Sequence, residues 1–143
     1  MDLPSFTILT AWCAALCWFD LRHRRLPNAL TGYGAAAVLG YALGTTRFTV
    51  AVAGGVVLAA AYLSVHLYAP AALGAGDVKL AAVLGAVAAM HGARVWTWSA
   101  LLAPVVTAAV GVALLFARHT DRTVPHGPAM CLATLVALVT MPP

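Results

Sequence analysis

The sequence contains no glutamate, and its 143 residues include four aspartates: Asp2, Asp20, Asp77 and Asp121. The absence of glutamate disfavours a metalloprotease of the His-Glu-x-x-His type, because that glutamate is the general base of such enzymes. The five histidines show no metal-ligand spacing, so we expect no bound metal. Any chemistry that needs two carboxyl groups must therefore draw on these four aspartates.

Charged residues are also scarce, at 8% of the chain against about 25% in soluble proteins. Hydrophobic residues make up 63%, and apolar runs that approach or exceed ~18 residues recur. We therefore predict a single all-α, polytopic membrane domain over residues 1–143. The formal net charge of +4 could suggest nucleic acid as a partner. The basic residues lie at the ends of the apolar runs, however, which favours anchoring to membrane lipids instead.

Cysteine and serine residues give little support for nucleophilic chemistry. Cys13, Cys17 and Cys131 lie inside apolar runs, where we expect small buried side chains rather than disulfides or metal ligands. Ser64 and Ser99 also lie in apolar runs and have no basic partner nearby in sequence. Serine proteolysis is therefore disfavoured.

The apolar runs predict about six transmembrane helices, with a kink at Pro104 in the fifth. The predicted spans are 4–19, 29–43, 49–69, 78–90, 95–117 and 129–141. Glycines within these spans are expected to allow close helix packing. Examples are Gly34, Gly40, Gly54 and Gly55.

Lysine and arginine are shared unequally between the loops on the two sides of the membrane. Loops that follow the first, third and fifth spans carry six of the eight, which predicts cytoplasmic loops there and outward-facing termini. Asp20 ends the first span and Asp77 precedes the fourth, so both would lie near the cytoplasmic surface of the inner membrane. Asp121 lies on the same side among basic residues and is interpreted as part of a solvated ion pair. Asp2 is interpreted as a solvated terminus on the opposite side.

Asp20 and Asp77 thus form a candidate acid pair. Two carboxyl groups a few ångströms apart do not both ionise easily, so they share one proton. The ionised member can take a proton from water while the protonated member donates to a carbonyl oxygen, as in aspartic proteases. In the alternative reading, each aspartate caps a helix end or pairs with an arginine, and the helix dipole would stabilise Asp77 whatever its role.

Three segments carry a resemblance to a known family. Residues 20–31 read DLRHRRLPNALT, residues 74–80 read GAGDVKL, and residues 124–129 read VPHGPA. Their order and content resemble the type IV prepilin peptidases, which have an aspartate before a basic run, a GxGD motif and a Pro-Phe-Gly-Pro segment. His126 stands where the family usually has an aromatic residue, which leaves the role of this position open.

The resemblance implies that Asp20 and Asp77 are the catalytic acids of a membrane aspartic endopeptidase without a cofactor. Substrate contacts would come from Gly74, Gly76, Pro125, Gly127 and Pro128. The implied substrate is a prepilin-like protein, whose short polar leader, typically ending in glycine, is removed at the cytoplasmic face. Family members that also N-methylate the product have a domain with paired Cys-x-x-Cys motifs, which this sequence lacks, so only the peptidase activity is expected.

Two other classes of function are compatible with the residues. A small proton-coupled transporter could use Asp20 and Asp77 as a relay, although no convincing repeat relates the two halves of the chain. A non-catalytic assembly factor of a pilus would tolerate loss of either acid. The sequence does not indicate the oligomeric state.

Overall fold

The computed structural model describes residues 2–70, 73–116 and 125–141, and these ranges contain α-helices joined by short connections. The prediction of an all-α fold is confirmed. The helices in chain order are α1 (Leu3–His23), α2 (Asn28–Gly44), α3 (Phe48–Tyr68), α4 (Ala75–Met90), α5 (Ala93–Phe116) and α6 (Gly127–Thr140).

Three of these helices, α1, α3 and α5, are long and apolar enough to cross a membrane. The α6 helix is apolar but shorter, with 14 residues. The α2 and α4 helices have 17 and 16 residues. Large hydrophobic side chains such as Ile8, Val56 and Leu101 are exposed on the outer surface of the long helices. Such a surface is suited to lipid, which supports a multi-pass membrane protein.

The predicted helix ends agree with the structure to within two residues, except at the two aspartates. The α1 helix continues past Asp20 to His23, so the prediction that it ends at Asp20 is wrong. It ends where Arg24 adopts a left-handed conformation (φ 50°) and donates its N–H to the Asp20 carbonyl at 2.8 Å. The α4 helix begins at Ala75, which places Asp77 inside its first turn rather than in the preceding loop.

The α4 helix lies at the centre of the fold and packs against α2, α3, α5 and α6. Its buried side chains include Leu80, Leu84 and Val87, which join the main hydrophobic cluster. Cys13 and Cys131 are buried and Cys17 is partly buried, and all three are free thiols. No group suited to a metal ion occurs among the described residues. The main core therefore surrounds the helix that carries Asp77.

Glycines bring α3 and α4 into backbone contact. A Cβ atom at Gly85 would lie 2.8 Å from the Gly54 carbonyl oxygen and 2.9 Å from Leu58 Cβ. A Cβ atom at Gly55, the residue after Gly54, would lie closer still, 2.5 Å from the Ala82 carbonyl oxygen. The expectation of close packing is thus met at Gly54 and Gly55, and at Gly34, which lies under Trp12. It is wrong for Gly40, where an added Cβ would meet nothing within 4 Å.

We predict that Gly85→Ala lowers the thermal stability of the detergent-solubilised protein, whereas Gly40→Ala leaves it unchanged or raises it. Overpacking a close contact costs about 1–3 kcal/mol. Alanine is otherwise favoured over glycine within a helix by roughly 0.5–1 kcal/mol. Thermal unfolding of the two variants beside the native chain measures both effects. Equal stability of the two variants would contradict the close α3–α4 contact.

Candidate active site

Asp20 is buried on α1, one turn before the helix ends, with 8% of its surface exposed. Its Oδ2 atom accepts a hydrogen bond from the backbone N–H of Gly127 at 3.2 Å, a contact between residues 107 positions apart. Gly127 is the first residue of α6, so its N–H has no partner within that helix. The buried carboxyl group of Asp20 therefore gains a hydrogen-bond donor, and the Gly127 amide gains an acceptor.

Only glycine fits at position 127 without displacing the acid. A Cβ atom there would lie 2.7 Å from Asp20 Oδ2 and 3.4 Å from its carboxyl carbon. Pro128 follows as the second residue of α6, where its missing N–H costs nothing because that group would be unpaired. Pro125 and Pro128 are partly buried on either side of this turn. The segment that the sequence analysis selected here thus packs against Asp20 through Gly127.

Asp77 is held by a reciprocal turn at the start of α4. Its Oδ2 atom accepts the N–H of Gly74 at 3.0 Å, and its own N–H donates to the Gly74 carbonyl at 3.0 Å. The preceding residue, Leu73, accepts a hydrogen bond from His66 Nδ1 at 2.7 Å, which ties the end of α3 to this turn. The turn that holds Asp77 is therefore fixed by hydrogen bonds at both Gly74 and Leu73.

Two contacts join the Asp77 turn to the segment that follows Asp20. A Cβ atom at Gly76 would lie 3.3 Å from Leu26 Cβ, so Gly76 packs against Leu26. Lys79 Nζ donates to Asn28 Oδ1 at 2.8 Å, which gives this lysine a protein partner where the sequence favoured a lipid anchor. These contacts place the segment that follows Asp20 against the turn that holds Asp77.

A third group of polar side chains lies next to Gly127, whose N–H contacts Asp20. His126 precedes α6, and its Nδ1 and Nε2 atoms lie 2.6 Å from Thr107 Oγ1 and 3.2 Å from the Tyr62 hydroxyl. Burial lowers the pKa of His126, and the nearby Asp20 carboxyl group opposes this shift. The imidazole is therefore neutral at pH 7.

Sequence reasoning noted His126 as a departure but did not select Tyr62 or Thr107. The available signal was weak: each is a polar side chain within a long apolar run. Of the remaining aspartates, Asp2 is exposed before α1, as expected. Asp121 lies outside the residues that the structure describes.

The comparison with protein families gives one match. The model of the type IV leader peptidase family matches residues 7–117, a range that contains both Asp20 and Asp77. The turn around Gly127 lies beyond the matched range. No curated protein and no solved structure matches the chain.

We predict that Asp20→Leu lowers thermal stability relative to Asp20→Asn. Asparagine keeps a side-chain carbonyl oxygen for the Gly127 amide, whereas leucine leaves that buried N–H without an acceptor. An unsatisfied buried donor costs about 1–3 kcal/mol. Thermal unfolding of the two variants in the same detergent provides the measurement. A leucine variant as stable as the asparagine variant would show that the amide does not depend on this acceptor.

Proposed function

We propose that this chain, which belongs to the type IV leader peptidase family, is an aspartic endopeptidase that cleaves prepilin-like proteins. Family membership suggests leader-peptidase function. The observation that carries the proposal is the contact of the segment that follows Asp20, on α1, with the first turn of α4, which holds Asp77. Each carboxyl group accepts a backbone N–H, from Gly127 and Gly74 respectively.

This arrangement suits general acid–base hydrolysis. The ionised carboxylate takes a proton from a water molecule as the water oxygen attacks the scissile carbonyl carbon, and the protonated carboxyl group donates to the carbonyl oxygen. The C–N bond then breaks as the pair donates a proton to the leaving nitrogen, and one hydroxyl group of the tetrahedral intermediate returns its proton to the pair as the carbonyl re-forms. One water molecule is consumed, and the pair returns to its singly protonated state.

The hydrogen bond from Gly127 holds Oδ2 of Asp20 and leaves Oδ1 as the oxygen that exchanges the proton. The turn at Gly74 holds Oδ2 of Asp77 in the same manner. Backbone donors of this kind need no reorganisation during the reaction, which is the basis of electrostatic preorganisation. Both acids are therefore supported by main chain rather than by mobile side chains.

The substrate we propose has a short polar leader, typically ending in glycine, followed by a hydrophobic helix. That helix would lie in the bilayer beside the enzyme, and the leader junction would reach the acids at the membrane surface. Contacts to the extended substrate backbone are assigned to the turns at Gly74 and Gly76 and at Pro125, Gly127 and Pro128. Glycine lets one backbone approach another closely.

The proposed topology has six spans in one domain over residues 1–143, with both termini outward and the acids near the cytoplasmic face of the inner membrane. The distribution of lysine and arginine supports it. The shorter helices α2, α4 and α6 would cross with help from their flanking segments. We propose peptidase activity alone, without N-methylation of the product.

We predict that Asp20→Asn and Asp77→Asn each abolish processing of a co-expressed prepilin-like protein while the enzyme remains in the membrane. A proton-sharing pair cannot work when one member is an amide. Conversion of precursor to mature protein on a gel gives the readout, and the N-terminus of the product locates the cut.

Asp2→Asn is the matched control for these variants, because it makes the same chemical change at an exposed acid far from the site. It should process the substrate as the native chain does. Near-normal cleavage by either site variant would contradict the assignment of Asp20 and Asp77 as the catalytic acids.

The topology yields a separate prediction. In a background where the three native cysteines are replaced by alanine, Arg25→Cys should be protected from an impermeant external thiol reagent, and Thr46→Cys should react. Both positions are exposed in the structure, so accessibility reflects the side of the membrane. The reverse labelling pattern in intact cells would invert the proposed orientation.

A further inference from the structure

The His126 side chain joins three helices at the edge of the candidate site. It contacts Thr107 on α5 through Nδ1 and Tyr62 on α3 through Nε2, and its backbone begins α6. The Tyr62 and His126 rings also pack together, with centroids 5.5 Å apart. Both ring nitrogens of this partly buried histidine thus have hydrogen-bond partners, which a side chain that served only for packing would not need.

The hydrogen-bond geometry assigns the tautomer of this histidine. The Thr107 hydroxyl donates its hydrogen to the Ala103 carbonyl at 3.0 Å, so towards His126 it acts as an acceptor. Nδ1 therefore carries the proton and donates to Thr107. Nε2 is left with its lone pair and accepts the Tyr62 O–H. The neutral imidazole completes a directed chain from Tyr62 to the Ala103 carbonyl.

The peptide unit between His126 and Gly127 connects this chain to Asp20. Its carbonyl accepts the N–H of Met130 at 3.1 Å, and its N–H donates to Asp20 Oδ2 at 3.2 Å. Because the peptide unit is planar, anchoring the His126 side chain restricts the orientation of both groups. A shift of the ring would turn the Gly127 amide away from the acid.

We propose that His126 is a positioning residue, which holds the Gly127 amide against Asp20 through its hydrogen bonds to Tyr62 and Thr107. The inference rests on the proposed peptidase function and extends it to a residue that does not itself touch the reacting atoms. His126 adjoins Gly127, whose N–H donates to Asp20 Oδ2 at 3.2 Å. Loss of the hydrogen bonds should therefore slow catalysis without weakening substrate binding.

Two substitutions at position 126 separate positioning from ring packing. His126→Phe keeps a ring of similar size but removes both nitrogens. His126→Gln removes the ring but keeps one donor and one acceptor, suited to Thr107 and Tyr62. The experiment measures kcat and KM of the purified variants on a prepilin-like substrate, together with thermal unfolding.

For His126→Phe we expect kcat to fall by about 10- to 100-fold with little change in KM, because small displacements of catalytic groups have effects of this size. His126→Gln should retain more kcat than His126→Phe. If His126 served only to pack its ring, His126→Phe would retain more kcat than His126→Gln. A phenylalanine variant with native kcat, or one that exceeds the glutamine variant, would overturn the proposal.

Thr107→Val supplies the test if the position 126 variants do not accumulate, because it is isosteric and removes one hydrogen bond. It should lower kcat, and combining it with His126→Phe should add little, since both changes break the same contact. Unchanged kcat in Thr107→Val, or fully additive losses, would contradict the proposal. Failure of the proposed function is distinct: the native chain itself would then leave the substrate uncut.

Discussion

The hydrogen bond between Asp20 and the Gly127 amide is the contact on which the site depends. It joins the first helix to the last across 107 residues and gives a buried carboxyl group a main-chain donor. Without it, α6 would begin with an unpaired amide and Asp20 would lie buried without this partner, each at a cost in free energy. The absence of a side chain at Gly127 follows from the same contact, because a methyl group would occupy the space of the carboxyl oxygen.

The second acid is placed by helix packing rather than by a long-range hydrogen bond. Close contact of α3 with α4 through Gly54 and Gly85 sets the position of α4, and the turn at Gly74 sets the orientation of Asp77. Small residues serve this purpose in membranes, where helices associate through van der Waals contact rather than through the hydrophobic effect. The positions of the two aspartates therefore depend on one polar and one apolar constraint.

Much of the fold could be predicted from sequence because apolar runs, prolines and glycines mark helices and their ends directly. The prediction failed at Asp20, because a charged residue can end an apolar run without ending the helix. The helix ends one turn later, where Arg24 adopts a left-handed conformation. The pattern also could not distinguish Gly40, which faces open space, from Gly54, which faces a helix. The contacts of His126 with Tyr62 and Thr107 lie beyond any local pattern, because they join three helices that only the tertiary fold brings together.

The most direct test of the account is cleavage by the purified chain alone. The protein is reconstituted in lipid with one purified prepilin-like substrate, and mass spectrometry determines the N-terminus of the product. An authenticated prepilin peptidase acting on the same substrate provides the reference. The account predicts a single cut at the end of the leader, absent when Asp20 or Asp77 is replaced by asparagine. An intact substrate, with the folded native chain present and the reference enzyme active, would contradict it.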